Sequence, residues 1–218
     1  MRRLHSLYVF LAAFAWLASP VRAAAPDDAL QNELRSIQQE WAVANYQVPA
    51  GDRRVQAFDT LEQRVERFVK AHPGRAEPLI WQGIVLSTYA GAKGGLGALG
   101  LAKRSRAALE AALQIDPDAL SGSAYTSLGA LYAKVPGFPI GFGSKHKARE
   151  HLEHALALDP NGIDTNYFYG EFLLDEGESQ RALQYLRKAK SATPRPGREL
   201  ADAGRQGEID ALIAKTKG

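Results

Sequence analysis

The stretch NYFYGEFLLDEGESQRALQYLRKAKSATP, residues 166–194, has the pattern of two short helices followed by a proline. Counted back from Pro194, the apolar residues Ala189 and Leu186 lie five and eight positions away, which places both on one face of a helix. Gly170 lies inside the preceding helix, 24 residues before the proline. Because a glycine inside a helix costs about 1 kcal/mol relative to alanine, we expect it to mark a close approach between the two helices.

Two stretches upstream repeat this arrangement with different lengths. Pro117 and Pro160 each end a helix with the same apolar offsets, and Gly83 and Gly129 lie in the helices that precede them. The glycine and the proline are 34 and 31 residues apart in these units, instead of 24. We therefore predict that each unit carries an insert between its two helices. The inserts are GAKGGLGALG (91–100) and VPGFPIGFGSKHK (135–147).

A fourth unit, residues 27–73, is degenerate, because its second helix alone keeps this spacing. The whole pattern predicts nine helices near 28–46, 54–71, 76–91, 100–115, 121–134, 145–158, 163–176, 179–192 and 198–216. The last helix has no partner, and its apolar side chains are expected to cap the exposed end of the array. These side chains are Leu200, Ile209, Leu212 and Ile213.

These units resemble the tetratricopeptide repeat, a helical hairpin of about 34 residues whose first helix carries a Leu-Gly pair between bulky residues and whose second carries Ala before a closing Pro. The central unit matches this motif at Tyr125, Leu128, Gly129, Tyr132, Ala148, Leu152, Ala155, Leu156 and Pro160. The unit before it is weaker, because Gln82 and Ser105 stand where Leu and Ala are usual. The resemblance implies an all-α fold, a right-handed superhelix of about four helix pairs with a C-terminal capping helix.

The first 23 residues have the order of a secretory signal peptide. A basic start is followed by an apolar run, Leu7–Ala18, and by small residues before a predicted cleavage after Ala23. Twelve apolar residues are too few to span a bilayer comfortably, although an uncleaved anchor is the alternative. We therefore expect an exported, periplasmic chain whose mature domain, residues 24–218, has no stable membrane anchor.

The charge balance and the lack of cysteine exclude several kinds of binding site. The chain has 27 Lys and Arg against 24 Asp and Glu, but three of the arginines lie in residues 1–23, so the predicted mature chain is balanced. A nucleic-acid-binding surface would need an excess of basic residues, and we expect none. The chain has no cysteine, which excludes disulfides, thiolate metal sites and a lipid-bearing cysteine.

No catalytic motif is present in the sequence. GxSxG and HExxH are absent, acidic residues form no placed pair, and the glycine-rich inserts lack the order of a phosphate-binding loop. His146, His151 and His154 have spacings that could hold zinc, but they fall away from the apolar face of their helix, which favours a solvated polar face. We therefore expect no enzyme, no metal and no cofactor; a cell-envelope hydrolase is the least favoured alternative.

In tetratricopeptide arrays the first helices of successive repeats line a concave groove. Carried over to this chain, the resemblance implies a groove formed by Ile80, Ile84, Ser87, Thr126, Ala130, Ala133, Lys134, Tyr167, Glu171 and Leu174. This surface is small and apolar, so it favours a peptide segment or an apolar ligand over a charged tail. The alternative is that these residues pack against the inserts. The second insert contributes Pro136, Phe138, Pro139, Ile140 and Phe142, whose apolar side chains should bury against the array or a partner.

From Trp81 onward the chain also resembles a bacterial exported family, the tetratricopeptide T component associated with TRAP-type solute transporters. The phrases VPGFPIGFG and NGIDTNYFYGEFLL carry this resemblance. It implies a protein that contacts a solute-binding protein or a hydrophobic ligand. The function predicted is an adaptor or scaffold tied to solute uptake, and the alternative is a carrier of a small apolar ligand in a pocket closed by the two inserts.

Overall fold

The computed structural model describes residues 26–216, which are helical apart from their turns and loops. The helices of this range are α1 (Pro26–Tyr46), α2 (Asp52–Ala71), α3 (Ala76–Lys93), α4 (Gly95–Ile115), α5 (Ala119–Lys134), α6 (Lys145–Leu158), α7 (Ile163–Asp175), α8 (Ser179–Lys190) and α9 (Glu199–Lys215). The predicted all-α fold is confirmed. The predicted signal peptide lies outside the described residues. Between residues 26 and 216, no helix is both long and apolar enough to cross a membrane.

The helices pack in consecutive pairs: α1 with α2, α3 with α4, α5 with α6, and α7 with α8. Neighbouring pairs are joined because α3 packs on α5, α5 packs on α7, and the second helix of each pair contacts the first helix of the next. This is a tetratricopeptide-like superhelical array, and α9 follows it as the ninth helix.

The repeated glycines lie where the two helices of a pair approach most closely, as predicted. A Cβ atom built on Gly129 would lie 2.5 Å from Cγ of Leu152, closer than atoms can pack. The other two pairs have the same contact, Gly83 with Leu109 at 2.4 Å and Gly170 with Leu186 at 2.9 Å. Each leucine lies eight residues before the closing proline of its unit. The positions that repeat in the sequence are therefore the positions that pack against each other in the structure.

Three clusters of buried side chains form the core. The first joins α1, α2, α3 and the start of α4, the second runs through the central pairs, and the third lies under α9. The largest fully buried side chains include Tyr169, Phe58, Phe68, Leu109, Leu128 and Leu152. The apolar residues that mark the repeat motif thus form the core.

The first insert is helical, which the sequence did not predict. α3 continues to Lys93 and α4 begins at Gly95, with a single residue, Gly94, between them. Gly94 and Gly95 have φ angles of 62° and 60°, a left-handed conformation that glycine adopts without strain. The predicted start of α4 at residue 100 was wrong because Ala98 packs against the first core cluster, and this contact favours a longer helix over the penalty of its glycines.

The second insert is an ordered loop between α5 and α6. The backbone N–H of Gly143 donates to the carbonyl of Pro136 at 2.9 Å, and a Cβ atom on Gly143 would lie 1.8 Å from the carbonyl oxygen of Val135. Phe142 packs inward, with its ring 5.5 Å from that of Tyr132. The loop therefore has a tightly closed base.

α9 caps the array with the predicted apolar residues. Ile209 is fully buried among side chains of α7 and α8, and Leu212 and Ile213 pack against the same cluster. α9 also contacts α1, where a Cβ atom on Gly204 would lie 2.4 Å from the ring of Tyr46. The first and last helices of the described chain therefore touch, a contact that the repeat pattern did not indicate.

Candidate functional site

The array surrounds a central cavity of about 1010 Å³. Its lining comes from α1, α3, α4, α5, α7 and α9 and from the loops between them. One wall, which we call the repeat wall, is formed by α3, α4 and α5 and is mainly apolar: Trp81, Ile84, Ala98, Ala130 and Leu131. Since the pairs α3–α4 and α5–α6 set the positions of these residues, this wall is a product of the repeat packing.

Half of the predicted groove residues line this cavity. Ile84, Thr126, Ala130 and Lys134 do so, as does Ser87. Ile80 is instead fully buried in the second core cluster. Tyr167, Glu171 and Leu174 also lie outside the lining. α7 contributes its first residues and Phe168 instead, because α9 covers the rest of its concave face.

The predicted groove cation is already paired. Nζ of Lys134 lies 3.1 Å from Oε1 of Glu171 and 2.8 Å from Oδ2 of Asp175. Burial acts to lower the pKa of Lys134, but its hydrogen bond to Asp175 and the charge of Glu171 outweigh this, so the pKa is raised. Lys134 therefore links α5 to α7 as a fully charged group.

Both inserts border the cavity. Gly91, Gly94 and Gly95 of the first insert and Pro136 and Ile140 of the second are exposed lining residues, and together we call them the rim. Beside the rim, Phe138 is 94% exposed, and Ile140 within it is 71% exposed. The second insert thus packs on the array at Phe142 and presents two large apolar side chains to solvent.

A second wall of the cavity is charged, and it was not predicted from the sequence. We call it the cap wall; it consists of Asp164 at the start of α7, Arg195 and Arg198 in the loop before α9, and Arg205 in α9. Nη1 of Arg195 donates to Oδ2 of Asp164 at 2.7 Å, and Nε of Arg205 donates to Oδ1 of the same carboxylate at 2.8 Å. One carboxylate therefore holds two arginines.

Each of these two arginines also has a second carboxylate partner. Arg195 donates from Nε to Asp202 at 2.9 Å, and Arg205 donates from Nη1 to Glu208. Arg205 is 8% exposed. Burial acts to raise the pKa of Asp164, but the charges of Arg205 and Arg195 outweigh it and hold that pKa well below its usual range.

Arg198 differs from its two neighbours. Its guanidinium lies over the Trp81 ring, 5.3 Å from the centroid, and its buried Nε has no hydrogen-bond partner. Burial and the nearby charge of Arg195 lower the pKa of Arg198. Arg198 is thus a desolvated cation that faces the cavity.

A signal for the cap wall does exist in the sequence. Arg198, Asp202, Arg205 and Ile209 follow one another at spacings of four, three and four, which places them on one face of a helix. The capping prediction rests on the apolar part of this face and does not include its charged residues. Charged residues on a buried face indicate a polar site inside the array.

The histidines of α6 are not all solvated. His151 is half-buried, with its ring stacked on that of Tyr132 at 5.5 Å, and His154 packs on Tyr125 at 4.0 Å. Burial lowers the pKa of His151, which favours its neutral form. Within residues 26–216, no group of three or more His, Cys, Asp or Glu is placed to hold a metal ion.

The comparisons with known proteins agree with this architecture. The family model for the tetratricopeptide repeat matches residues 163–196. The chain is similar to the crystal structure of TTC0263, a thermophilic TPR protein in Thermus thermophilus, with 23% identity and a TM-score of 0.56 over 86% of this chain and 89% of that one. No curated protein matches the chain significantly.

Two crystal structures of MamA are also similar. One is 22% identical with a TM-score of 0.45, over 74% of this chain and 87% of that one. The other is 21% identical with a TM-score of 0.44, over 85% and 91%. Tetratricopeptide repeat proteins generally mediate protein–protein interactions, and their scaffold is typically non-catalytic. Residues 163–196 thus match the tetratricopeptide repeat, and the packed helix pairs give the described chain a tetratricopeptide-like fold that it shares with TTC0263.

Proposed function

We propose that the protein is a non-enzymatic adaptor that holds a small apolar molecule in its central cavity and meets a partner protein at the rim. One observation carries this proposal: both inserts border the same cavity, and one of them presents Phe138 and Ile140 to solvent beside it. The ligand site and the partner surface are therefore neighbours. A partner docked on the rim would meet the ligand as it enters or leaves.

The size and lining of the cavity support the ligand part. Its volume of about 1010 Å³ lies at the upper end of the range of roughly 300–1,000 Å³ for small-molecule sites, and such sites are mainly apolar with a few polar groups. The repeat wall supplies the apolar surface. The packing of α9 on α1 joins the two ends of the array, so the site is bounded by helices on several sides.

A titration with N-phenyl-1-naphthylamine tests the ligand part, since this apolar dye becomes fluorescent when it leaves water. We expect saturable binding to the wild-type protein and its loss in Ala130→Arg, which fills the cavity. Ala111→Arg is the matched control, because Ala111 is exposed on α4 and lies outside the cavity lining. Equal binding by both variants would place the dye elsewhere and contradict this part.

The exposed loop tip supports the partner part, since solvent-exposed pairs of large apolar residues mark interaction surfaces. We propose that the partner is a periplasmic solute-binding protein, on the strength of the resemblance to the T component and of the predicted signal peptide. Periplasmic location is part of the same proposal, and fractionation of cells that express the full chain tests it.

Mutation of the loop tip tests the partner part. A solute-binding protein that co-purifies from the periplasm would be prepared separately, and its affinity for the wild-type protein measured. We expect Phe138→Ser to weaken this affinity about tenfold or more, as expected for an interface hot spot. Ile115→Ser is the control, because Ile115 is 44% exposed and lies outside the rim. An equal effect of both changes would contradict a partner at the loop.

A further inference from the structure

Arg198 shows which chemical class of ligand fits the cavity. It lies in the loop between α8 and α9, and its guanidinium is the one in the cap wall that residues 26–216 supply with no ion pair; its buried Nε has no hydrogen-bond partner. Arg195 and Arg205 of the same wall are each held by two carboxylates. The acceptors in the wall are therefore already engaged, and Arg198 remains available to a ligand.

An unpaired, partly buried guanidinium is an unfavourable arrangement on a cavity wall. Removing a cation from water costs free energy unless an anion or hydrogen-bond acceptors replace the water. The nearby carboxylates of Asp164 and Asp202 offset part of this cost, but their oxygens accept from Arg195 and Arg205 rather than from Arg198. An incoming carboxylate would supply the missing acceptors, in the paired geometry that arginine favours.

The surface next to Arg198 suits an alkyl chain. Trp81 lies under the guanidinium, and Ile84, Ala130 and Leu131 continue the wall away from it. A peptide segment would also bring backbone N–H and C=O groups that need partners. Three hydroxyl groups of the lining already donate to carbonyls of their own helices: Ser87 and Thr88 to Ile84, and Ser123 to Leu120. Their protons are therefore not free for the carbonyl groups of a peptide, which favours an alkyl chain.

We propose that the cavity binds an amphipathic organic anion of small-molecule size, with its carboxylate on Arg198 and its apolar chain along the repeat wall. This proposal rests on the ligand part of the function proposed above and names the class of that ligand. The apolar repeat wall positions the alkyl chain of the ligand, and the unpaired guanidinium of Arg198 positions its carboxylate. Charge complementarity thus selects an alkanoate over a neutral apolar molecule.

Calorimetric titrations with dodecanoate and dodecan-1-ol test the proposal, because the two probes differ in the head group alone. Both are used below the concentration at which dodecanoate forms micelles. We expect dodecanoate to bind the wild-type protein about tenfold or more tighter than the alcohol, the range of a charge-assisted hydrogen bond. Arg198→Gln should reduce dodecanoate to the affinity of the alcohol and leave the alcohol unchanged, while Arg198→Lys should retain part of the preference.

The outcomes separate the inference from the function on which it rests. Equal binding of acid and alcohol to the wild-type protein, or an unchanged preference in Arg198→Gln, would overturn the anion site and leave the apolar cavity standing. Binding of neither probe, with no displacement of the bound dye, would overturn the ligand part as well. A third arm uses an apolar pentapeptide as free acid and as amide. Preference for the free-acid peptide without dodecanoate binding would assign the carboxylate to a polypeptide end and overturn the small-molecule proposal.

Discussion

The two walls of the central cavity differ in origin and in chemistry. The repeat wall, with Ile84 and Ala130, belongs to the helix pairs and is apolar. The cap wall, with Asp164 and Arg205, is formed where α9 and its preceding loop fold back on α7, and it is charged. The central repeats thus supply the apolar surface of the site, while the last repeat and the α9 segment together supply its charged groups. Four substitutions test this difference, beginning with the largest expected effect.

Asp164→Asn should destabilise the protein most, because it removes the carboxylate that holds Arg195 and Arg205. Breaking a buried ion pair costs roughly 3–5 kcal/mol, and we expect about 3 because each arginine keeps a second carboxylate and Asp164 is not fully enclosed. Urea unfolding measures this loss. Asp175→Asn is the control, since Asp175 pairs with Lys134 at the exposed surface, where such pairs contribute roughly 0–1 kcal/mol.

The same carboxylate gives the stability a dependence on pH. The pKa of Asp164 is lower in the folded protein than its ordinary value of 3.8. Its contribution is therefore present above that value and is lost as the pH falls through the folded pKa. Asp164→Asn should flatten the acid side of the stability curve below about pH 4. An unchanged curve would show that the cap wall does not depend on this charge.

Gly129→Ala tests the packing that sets the repeat wall. The new methyl group would lie 2.5 Å from Leu152 and 3.2 Å from the backbone carbonyl of Ala148, so the two helices must separate. Overpacking of this kind costs roughly 1–3 kcal/mol. Gly100→Ala is the matched control: nothing lies within 4 Å of the added group in α4, and we expect a gain of up to about 1 kcal/mol. Similar melting temperatures for the two variants would contradict this account.

Gly204→Ala tests whether the two walls are coupled through the contact between α1 and α9. The methyl group would meet the ring of Tyr46, which is half-buried at the end of α1 rather than in the core, so we expect a smaller loss of about 1 kcal/mol. Burial raises the pKa of Tyr46 to about 12, and opening of this contact should lower it. A spectrophotometric titration of the tyrosines measures the change. A loss of stability without any change in the pKa of Tyr46 would mean that its ring stays buried, and it would contradict an opening of the contact between α1 and α9.

The sequence predicted those features that recur along the chain. Gly83, Gly129 and Gly170 appear at one register, and a pattern repeated three times indicates the contact that each residue makes. The start of α4 was predicted wrongly because glycine propensity is local, whereas the packing of Ala98 against the core depends on the fold. The pairing of arginines in the cap wall could not be predicted, since it depends on which carboxylates α7 and α9 bring together.

Arg198→Gln should have the smallest effect on stability, although Arg198 lies beside Arg195. Within the described residues the guanidinium has no ion pair to lose and its buried Nε has no hydrogen bond, so its contact with the Trp81 ring is the main loss; burial and the neighbouring Arg195 lower its pKa. Removing it should change the free energy of unfolding by no more than about 0.5 kcal/mol, or raise it slightly. Chemical unfolding beside Asp164→Asn measures the contrast. A loss as large as that of Asp164→Asn would mean that Arg198 stabilises the cap wall, and it would then be a structural residue. An unchanged free energy of unfolding would separate two kinds of arginine within one wall. Arg195 and Arg205 would then stabilise the fold, and Arg198 would be the arginine whose charge is available for the proposed ligand.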